Sequence, residues 1–171
     1  MHVLQGKDLN QYGDFGKVFD KFTNQWMLLT AGIEEKANTM TISWGNVGVL
    51  WHRPMVNVFV RPERYTYEFM EKESFFTLSV FGEEYREALA FCGKESGRDV
   101  DKFSHCGFSV KAAEGGGLFI PQAKENIICK KMYRTEFQFE QMEKDFDFTP
   151  YYNEKKGALH VMYMGEIVKH M

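Results

Sequence analysis

Two segments of this chain gather the side chains best suited to holding a ligand. Asn38-Thr39-Met40-Thr41-Ile42-Ser43-Trp44 puts an amide, three hydroxyls and an indole on one otherwise apolar stretch. Arg61-Pro62-Glu63-Arg64-Tyr65-Thr66 puts two guanidiniums and a hydroxyl where a strand gives way to a helix. The first set offers donors and acceptors along a rim, which a heteroaromatic ring with carbonyls and ring nitrogens needs. The second suits a phosphate, because a helix N-terminus presents unpaired N–H groups and the positive end of its dipole. Each charge-assisted hydrogen bond contributes roughly 1.5–3 kcal/mol, so two such bonds supply a large part of the about −8 kcal/mol of a micromolar complex. Together the segments describe a site for something flat, polar at its edges and phosphorylated at one end. Taken singly, each reads equally well as structure: a polar-faced strand with Trp44 in the core, and a helix cap beside two solvated arginines.

Two further residues gain meaning only beside such a site. Lys102, in Arg98-Asp99-Val100-Asp101-Lys102-Phe103, adds charge if its helix packs near the phosphate. His160 lies in a late strand pattern, where a neutral imidazole can hydrogen-bond a ring carbonyl or stabilise a reduced, anionic ring. No hydrolase arrangement stands out, with neither Gly-x-Ser-x-Gly nor His-Glu-x-x-His present. The histidines are dispersed, so a metal site has no support.

Short strands must position these residues. Trp26–Gly32, Thr39–Trp44, Val47–Trp51, Met55–Val60 and Phe75–Phe81 read as strands, with Pro54 and Pro62 at the ends of the fourth. Ile127–Met142 and Ala158–His170 read as two longer ones. Phe15, Val18, Phe19 and Phe22 recur at the spacing of one helix face, with Asp8 or Asn10 as N-cap. Thr66 is placed to cap a short helix over Tyr67–Lys72. Glu83–Cys92, with Gly93 as its C′ residue, and Asp99–Cys106 complete the helices. Strands predominate, so the expected fold is mainly β: a barrel with peripheral helices in a single domain over residues 1–171. Strand–helix alternation and Gly-x-Gly-x-x-Gly are both missing. A nicotinamide cofactor would therefore visit the protein rather than reside on a domain of its own.

Composition narrows the function classes. Aromatic residues make up 16% of the chain, sixteen of them Phe, enough for a packed β core or an aromatic pocket. The net charge of −3 and pI near 6.0 give no footprint for nucleic acid, and Lys130-Lys131 and Lys155-Lys156 are isolated pairs. The cysteines, Cys92, Cys106 and Cys129, are odd in number and widely spaced, which argues for a reducing cytoplasm and against disulfides or zinc. The start, Met1-His2-Val3-Leu4-Gln5-Gly6-Lys7-Asp8, lacks a signal-peptide pattern, and no apolar run approaches the ~20 residues that span a bilayer.

These motifs, in this order, are similar to those of the flavin reductase-like family of FMN-binding split-barrel proteins, in the branch of flavoredoxin and NADH:FMN oxidoreductase-like proteins. The resemblance runs through Trp26–Gly32, Asn38–Gly45, Leu50-Trp51-His52-Arg53-Pro54 and Val60–Thr66. It continues through Phe76-Thr77-Leu78-Ser79, Ser96–Lys102 and His160…Tyr163-Met164-Gly165-Glu166-Ile167-Val168. It implies a six-stranded Greek-key split β-barrel, a homodimer and one FMN per subunit near the dimer interface. By the same resemblance, Asn38, Thr39, Met40, Thr41, Ser43 and Trp44 run along the isoalloxazine. Arg61, Arg64, Tyr65 and Thr66 lie near the ribityl phosphate with Lys102 adding charge, and His160 lies near the ring. Where relatives often have Gly-Asp before the late histidine, this chain has Ala158-Leu159, and it ends at Met171, where longer relatives can place an aromatic residue over the flavin.

The resulting expectation is a cytoplasmic NAD(P)H-dependent flavin reductase passing electrons through FMN to free flavin or another acceptor. NADH or NADPH is the transient donor, and no acid–base residue is needed for hydride transfer. The alternative is a flavoredoxin-like electron carrier with tightly bound FMN and a redox protein partner.

Overall fold

The computed structural model describes residues 8–153 and 157–171; the signal-peptide reading of Met1–Lys7 and the Lys155-Lys156 pair lie outside them, as does the side chain of Phe15. Seven strands form one antiparallel sheet: β1 (Met27–Ile33), β2 (Lys36–Ile42), β3 (Gly45–Leu50), β4 (Arg53–Val60), β5 (Phe75–Val80), β8 (Glu125–Glu136) and β9 (Val161–His170). Two-residue strands β6 (Lys111–Ala112) and β7 (Leu118–Phe119) pair separately. The helices are α1 (Phe15–Asp20), α2 (Tyr65–Lys72), α3 (Arg86–Lys94) and α4 (Lys102–Cys106).

The order β2-β1-β5-β8-β9-β4-β3 puts β2 and β3 at opposite ends of the sheet. Yet only Ser43 and Trp44 join them, and such a link spans at most about 11 Å. A flat sheet of this width would hold its edges almost 30 Å apart at about 4.8 Å per strand step. The sheet must therefore curl into a barrel, split between β2 and β3, with Trp44 at the split. The pairs β1–β5 and β4–β9 bring together strands distant in sequence, the long returns of a Greek key. The six strands implied by the resemblance become seven: the short strand read over Val47–Trp51 is a full edge strand, β3, paired from Gly45↔Val58 to Leu50↔Arg53.

β1 shows why the sequence reads as one apolar run: both its faces are covered. Met27, Leu29 and Ala31 point into the barrel core with Val56, Val58, Val60, Leu78 and Tyr163. Leu28 points outward into a second cluster with Phe81, Leu89, Cys92, Phe108 and Ile120, which seats α3 on the barrel wall. α1 continues into a π-helical turn, Lys21–Gln25, whose Phe22 ring lies against the start of β3. A Cβ at Gly45 would stand 2.2 Å from that ring, so only glycine permits the approach.

Several local expectations need correction. Thr66 does not cap α2; Arg64 holds the N-cap position and Thr66 is fully buried in the first turn. Trp51 leaves β3 and, with His52, forms the tight turn to β4, both at positive φ (53° and 57°), a type I′ geometry without the usual Asn-Gly. Gly93 lies inside α3, which ends at Glu95 as C-cap. β8 stops at Glu136, and β9 begins after His160 rather than before it.

Candidate functional site

A large cavity, about 900 Å³, opens at the barrel split. Thr41, Ser43, Trp44 and Gly45 from the β2–β3 link form one wall. The α1–β1 segment contributes Phe19, Phe22 and Trp26, and α3 contributes Leu89, Gly93 and Lys94. The far wall is the aromatic segment between β8 and β9, with Phe137, Phe146, Phe148, Tyr151 and Tyr152, closed by His160. Trp44 is 39% exposed and so is not a core residue. Its ring lies 5.2 Å from that of His160 and 5.8 Å, edge-on, from that of Tyr151.

His160 is 6% exposed, and its Nδ1 lies 2.8 Å from the Tyr152 hydroxyl. Burial, aided by the Arg61 guanidinium, pushes its pKa down to about 4, so the imidazole is neutral at physiological pH. The segment carrying Tyr151 and Tyr152 is held from below. Arg61 donates to the Tyr151 carbonyl at 2.7 Å and the Ala158 carbonyl at 3.1 Å, and its guanidinium lies over the Tyr152 ring. The Glu63 carboxylate accepts from the Ala158 N–H. Arg61 thus pins an aromatic wall.

Arg64 and Lys102 meet at the end of α3. Arg64 donates to the Gly93 carbonyl at 2.7 Å. Lys102, buried, donates to the carbonyls of Cys92 and Thr39, each at 2.8 Å. Neither cation forms an ion pair with a described carboxylate. Burial, and secondarily the Arg64 charge, push the Lys102 pKa down to about 8; burial also lowers that of Arg64. The α3 C-terminus supplies partial negative charge that offsets some of this.

The remaining candidates divide between scaffold and a second cavity. Thr39 is buried on the outer face of β2, accepting from Thr30 at 3.0 Å and donating to the Leu29 carbonyl at 3.2 Å, and Met40, on the opposite face, joins the barrel core. The Asn38 amide donates to the Thr66 hydroxyl oxygen at 2.8 Å, tying β2 to α2. Asn38, Tyr65 and Lys102 border the second cavity, about 540 Å³, with Gly97 and Arg98. Arg98 lies over the Tyr65 ring and pairs with Glu68 at 2.6 Å. Of the twelve residues singled out from sequence, then, four line the large cavity: Thr41, Ser43, Trp44 and His160. The aromatic wall went unread in the sequence. Its signal is the density of six aromatic residues from Phe137 to Tyr152, four of them beyond the strand read over Ile127–Met142. Among the described residues no His/Cys/Asp/Glu group could hold a metal, the three thiols are free, and no helix is long and apolar enough to cross a membrane.

The family described as "Flavin reductase like domain" matches residues 19–170. Among solved structures, flavoredoxin from Methanosarcina acetivorans is similar at 24% identity and a TM-score of 0.67, over 86% of this chain and 67% of that one. Flavoredoxin of Desulfovibrio vulgaris (Miyazaki F) is similar at 19% identity and 0.65, over 88% and 70%. An NADH:FAD oxidoreductase from Streptomyces globisporus is similar at 17% identity and 0.62, over 96% and 84%. At these identities the likeness shows the fold alone. None of the curated proteins compared matches the chain.

Proposed function

Because this chain belongs to the flavin reductase-like family, we propose that it is an FMN-dependent oxidoreductase, an NAD(P)H:flavin reductase acting in the cytoplasm. The observation that carries the reading is the aromatic-walled cavity at the barrel split, edged by Ser43, Trp44 and His160. Its volume falls in the range of roughly 300–1,000 Å³ that cofactor sites occupy. Nearby, Arg64 and Lys102 bring positive charge without a described carboxylate partner, as a phosphate site requires. The residues present therefore fit FMN.

FMN, when bound, supplies the hydride-accepting chemistry. The protein's part is binding and electrostatics. Thr41 and Ser43 offer polar groups along one rim, Trp44 an apolar edge, and neutral His160 a hydrogen-bonding nitrogen. The aromatic segment pinned by Arg61 excludes water from the far side. Arg64 and Lys102, with Tyr65 and Asn38 beside them, would hold the phosphate end. Three free cysteines suit a reducing compartment.

A second reading, an electron carrier that retains FMN, draws on the burial of Lys102 and His160, since a group held by buried partners leaves slowly. In either case we propose a homodimer. Val47, Val49 and Leu50 on edge strand β3, with Trp51 beyond it, present exposed apolar surface in the isolated chain. The test is the absorption spectrum of the purified protein, followed by anaerobic NADH and NADPH. A flavin spectrum bleached by either nucleotide supports the reductase; one bleached only by dithionite supports the carrier; no flavin binding at millimolar FMN sinks both.

A further inference from the structure

The Tyr152–His160 contact couples the phenol proton to the imidazole tautomer. The phenol proton of Tyr152 meets no acceptor among the described residues other than His160 Nδ1, at 2.8 Å. If Nδ1 carried the imidazole proton instead, the phenol proton would have no partner among the described residues. Burial raises the Tyr152 pKa, which keeps the phenol protonated, and His160 is neutral for the reasons given above. The charged groups that bear on His160 are Arg61, which disfavours its cation, and Glu63, which favours it. With Nδ1 accepting, the proton of a neutral imidazole resides on Nε2. No described residue hydrogen-bonds Nε2, although His160 is 6% exposed and its ring borders the large cavity. An N–H without a protein partner at the edge of an aromatic cavity is a donor awaiting an acceptor.

We propose that Tyr152 is a positioning residue: its hydroxyl donates to His160 Nδ1, fixes the Nε2–H tautomer, and so makes His160 a hydrogen-bond donor to an electron-rich oxygen or nitrogen of the flat ring held in the cavity. The identity of that ring as a flavin rests on the function proposed above; the tautomer does not. Tyr152 also belongs to the aromatic wall, beneath which Arg61 lies 5.3 Å from its ring centroid. The wall that excludes water is thus also the part that orients the donor. A flavin bound there would accumulate electron density at its heteroatoms on reduction, and an N–H donor stabilises that charge more than an imidazole lone pair could.

The experiment is long-range ¹⁵N–¹H correlation of the histidine rings near pH 7, first without flavin. Wild-type His160 is expected as the Nε2–H tautomer, and Tyr152→Phe is expected to shift its ring nitrogens toward a mixture of tautomers. A proton on Nδ1 in the wild type, or ring shifts unmoved in Tyr152→Phe, overturns the proposal. If Tyr152→Phe fails to fold, the wild-type tautomer alone decides. FMN is then added, with binding read from the flavin absorption band. The His160 Nε2 resonance should move on binding, and FMN that binds without moving it overturns the donor role. If FMN does not bind at all, the flavin reading fails while the tautomer still decides what Tyr152 does.

Discussion

Arg64 and Lys102 donate to the carbonyls of consecutive residues in the last turn of α3, Gly93 at 2.7 Å and Cys92 at 2.8 Å. Two cations on one helix C-terminus are favoured by its dipole, but each repels the other, and the repulsion helps push Lys102 down to about pKa 8. An anion docking between them would relieve both effects. FMN should therefore bind more tightly than riboflavin, which lacks the phosphate. Arg64→Ala should weaken FMN about 10- to 150-fold and riboflavin little, one lost charge-assisted hydrogen bond being roughly 1.5–3 kcal/mol. Equal flavin-fluorescence titrations for the two ligands would remove the phosphate from this site.

Lys102 also sets a pH dependence. Its folded pKa lies below the ordinary lysine value of 10.5, so folding disfavours its proton. In the flavin-free protein the associated destabilisation is complete below about pH 8 and is lifted as pH rises from about 8 toward 10.5. A bound phosphate favours the protonated lysine, so FMN affinity should run the other way, falling as pH rises through about 8. Titrations between pH 7 and 9.5 check this, with Lys102→Met expected to flatten the curve. A wild-type affinity level across that range would show that Lys102 does not meet the phosphate.

Thr66 illustrates a residue whose type was legible and whose role was not. It reads as a helix cap, yet its hydroxyl accepts the Asn38 amide in a fully buried position. Thr66→Val leaves the Asn38 donor unsatisfied and should lower stability by about 1–3 kcal/mol. Thr66→Ser keeps the oxygen and should recover most of it. Equal melting midpoints for the Val variant and the wild type would show that the bond contributes nothing.

Close approach at the split can be tested by two glycines of one strand. Gly45→Ala would put a methyl 2.2 Å from the Phe22 ring, whereas a methyl at Gly48 meets nothing within 4 Å. The first should cost about 1–3 kcal/mol as the π-helical turn shifts, lowering the melting midpoint by several degrees. Gly48→Ala should change it little. If both variants melt alike, Phe22 moves aside freely and the turn is not a fixed wall of the cavity.

Periodicity located most strands because β1, β4 and β5 carry unbroken apolar runs or clear alternation, and burial on one or both faces demands those patterns. The bounds of β3 are harder to place: the sequence reads as a strand over Val47–Trp51, and the structure has it over Gly45–Leu50. β3 is exposed along almost its whole length, so no core imposes a pattern on it, and its turn uses Trp51-His52 in place of a glycine signal. In the site, residue types were visible but their facing was not. Thr39 and Thr41 are two apart on one strand and share a side by period, yet one hydroxyl bonds within the β1–β2 pair and the other reaches the Leu89 carbonyl on α3. The wall from Phe137 to Tyr152 has no period at all. It is held by Arg61 and Glu63 from another part of the chain, and such long-range clamps leave no local trace.

Among the elements described none forms a nucleotide-binding βαβ unit, so a nicotinamide nucleotide would have to enter the same cavity as the flavin. Entry would be through the split, past Trp44, which lines the cavity and is partly exposed, with the aromatic segment on the far wall. Docking without a dedicated adenosine site should be weak but saturable. Bound FMN should then be bleached by NADH or NADPH at millimolar concentration, in anaerobic stopped-flow at the flavin band. His160 should matter modestly: a neutral donor stabilises the reduced ring without lying on the hydride route, so His160→Ala should slow bleaching by up to about tenfold, the scale of one net hydrogen bond. Trp44→Ala opens the split and should change the nucleotide concentration at half-saturation more than the limiting rate. Reduction by dithionite but by neither nucleotide would end the reductase reading and leave the electron carrier in its place.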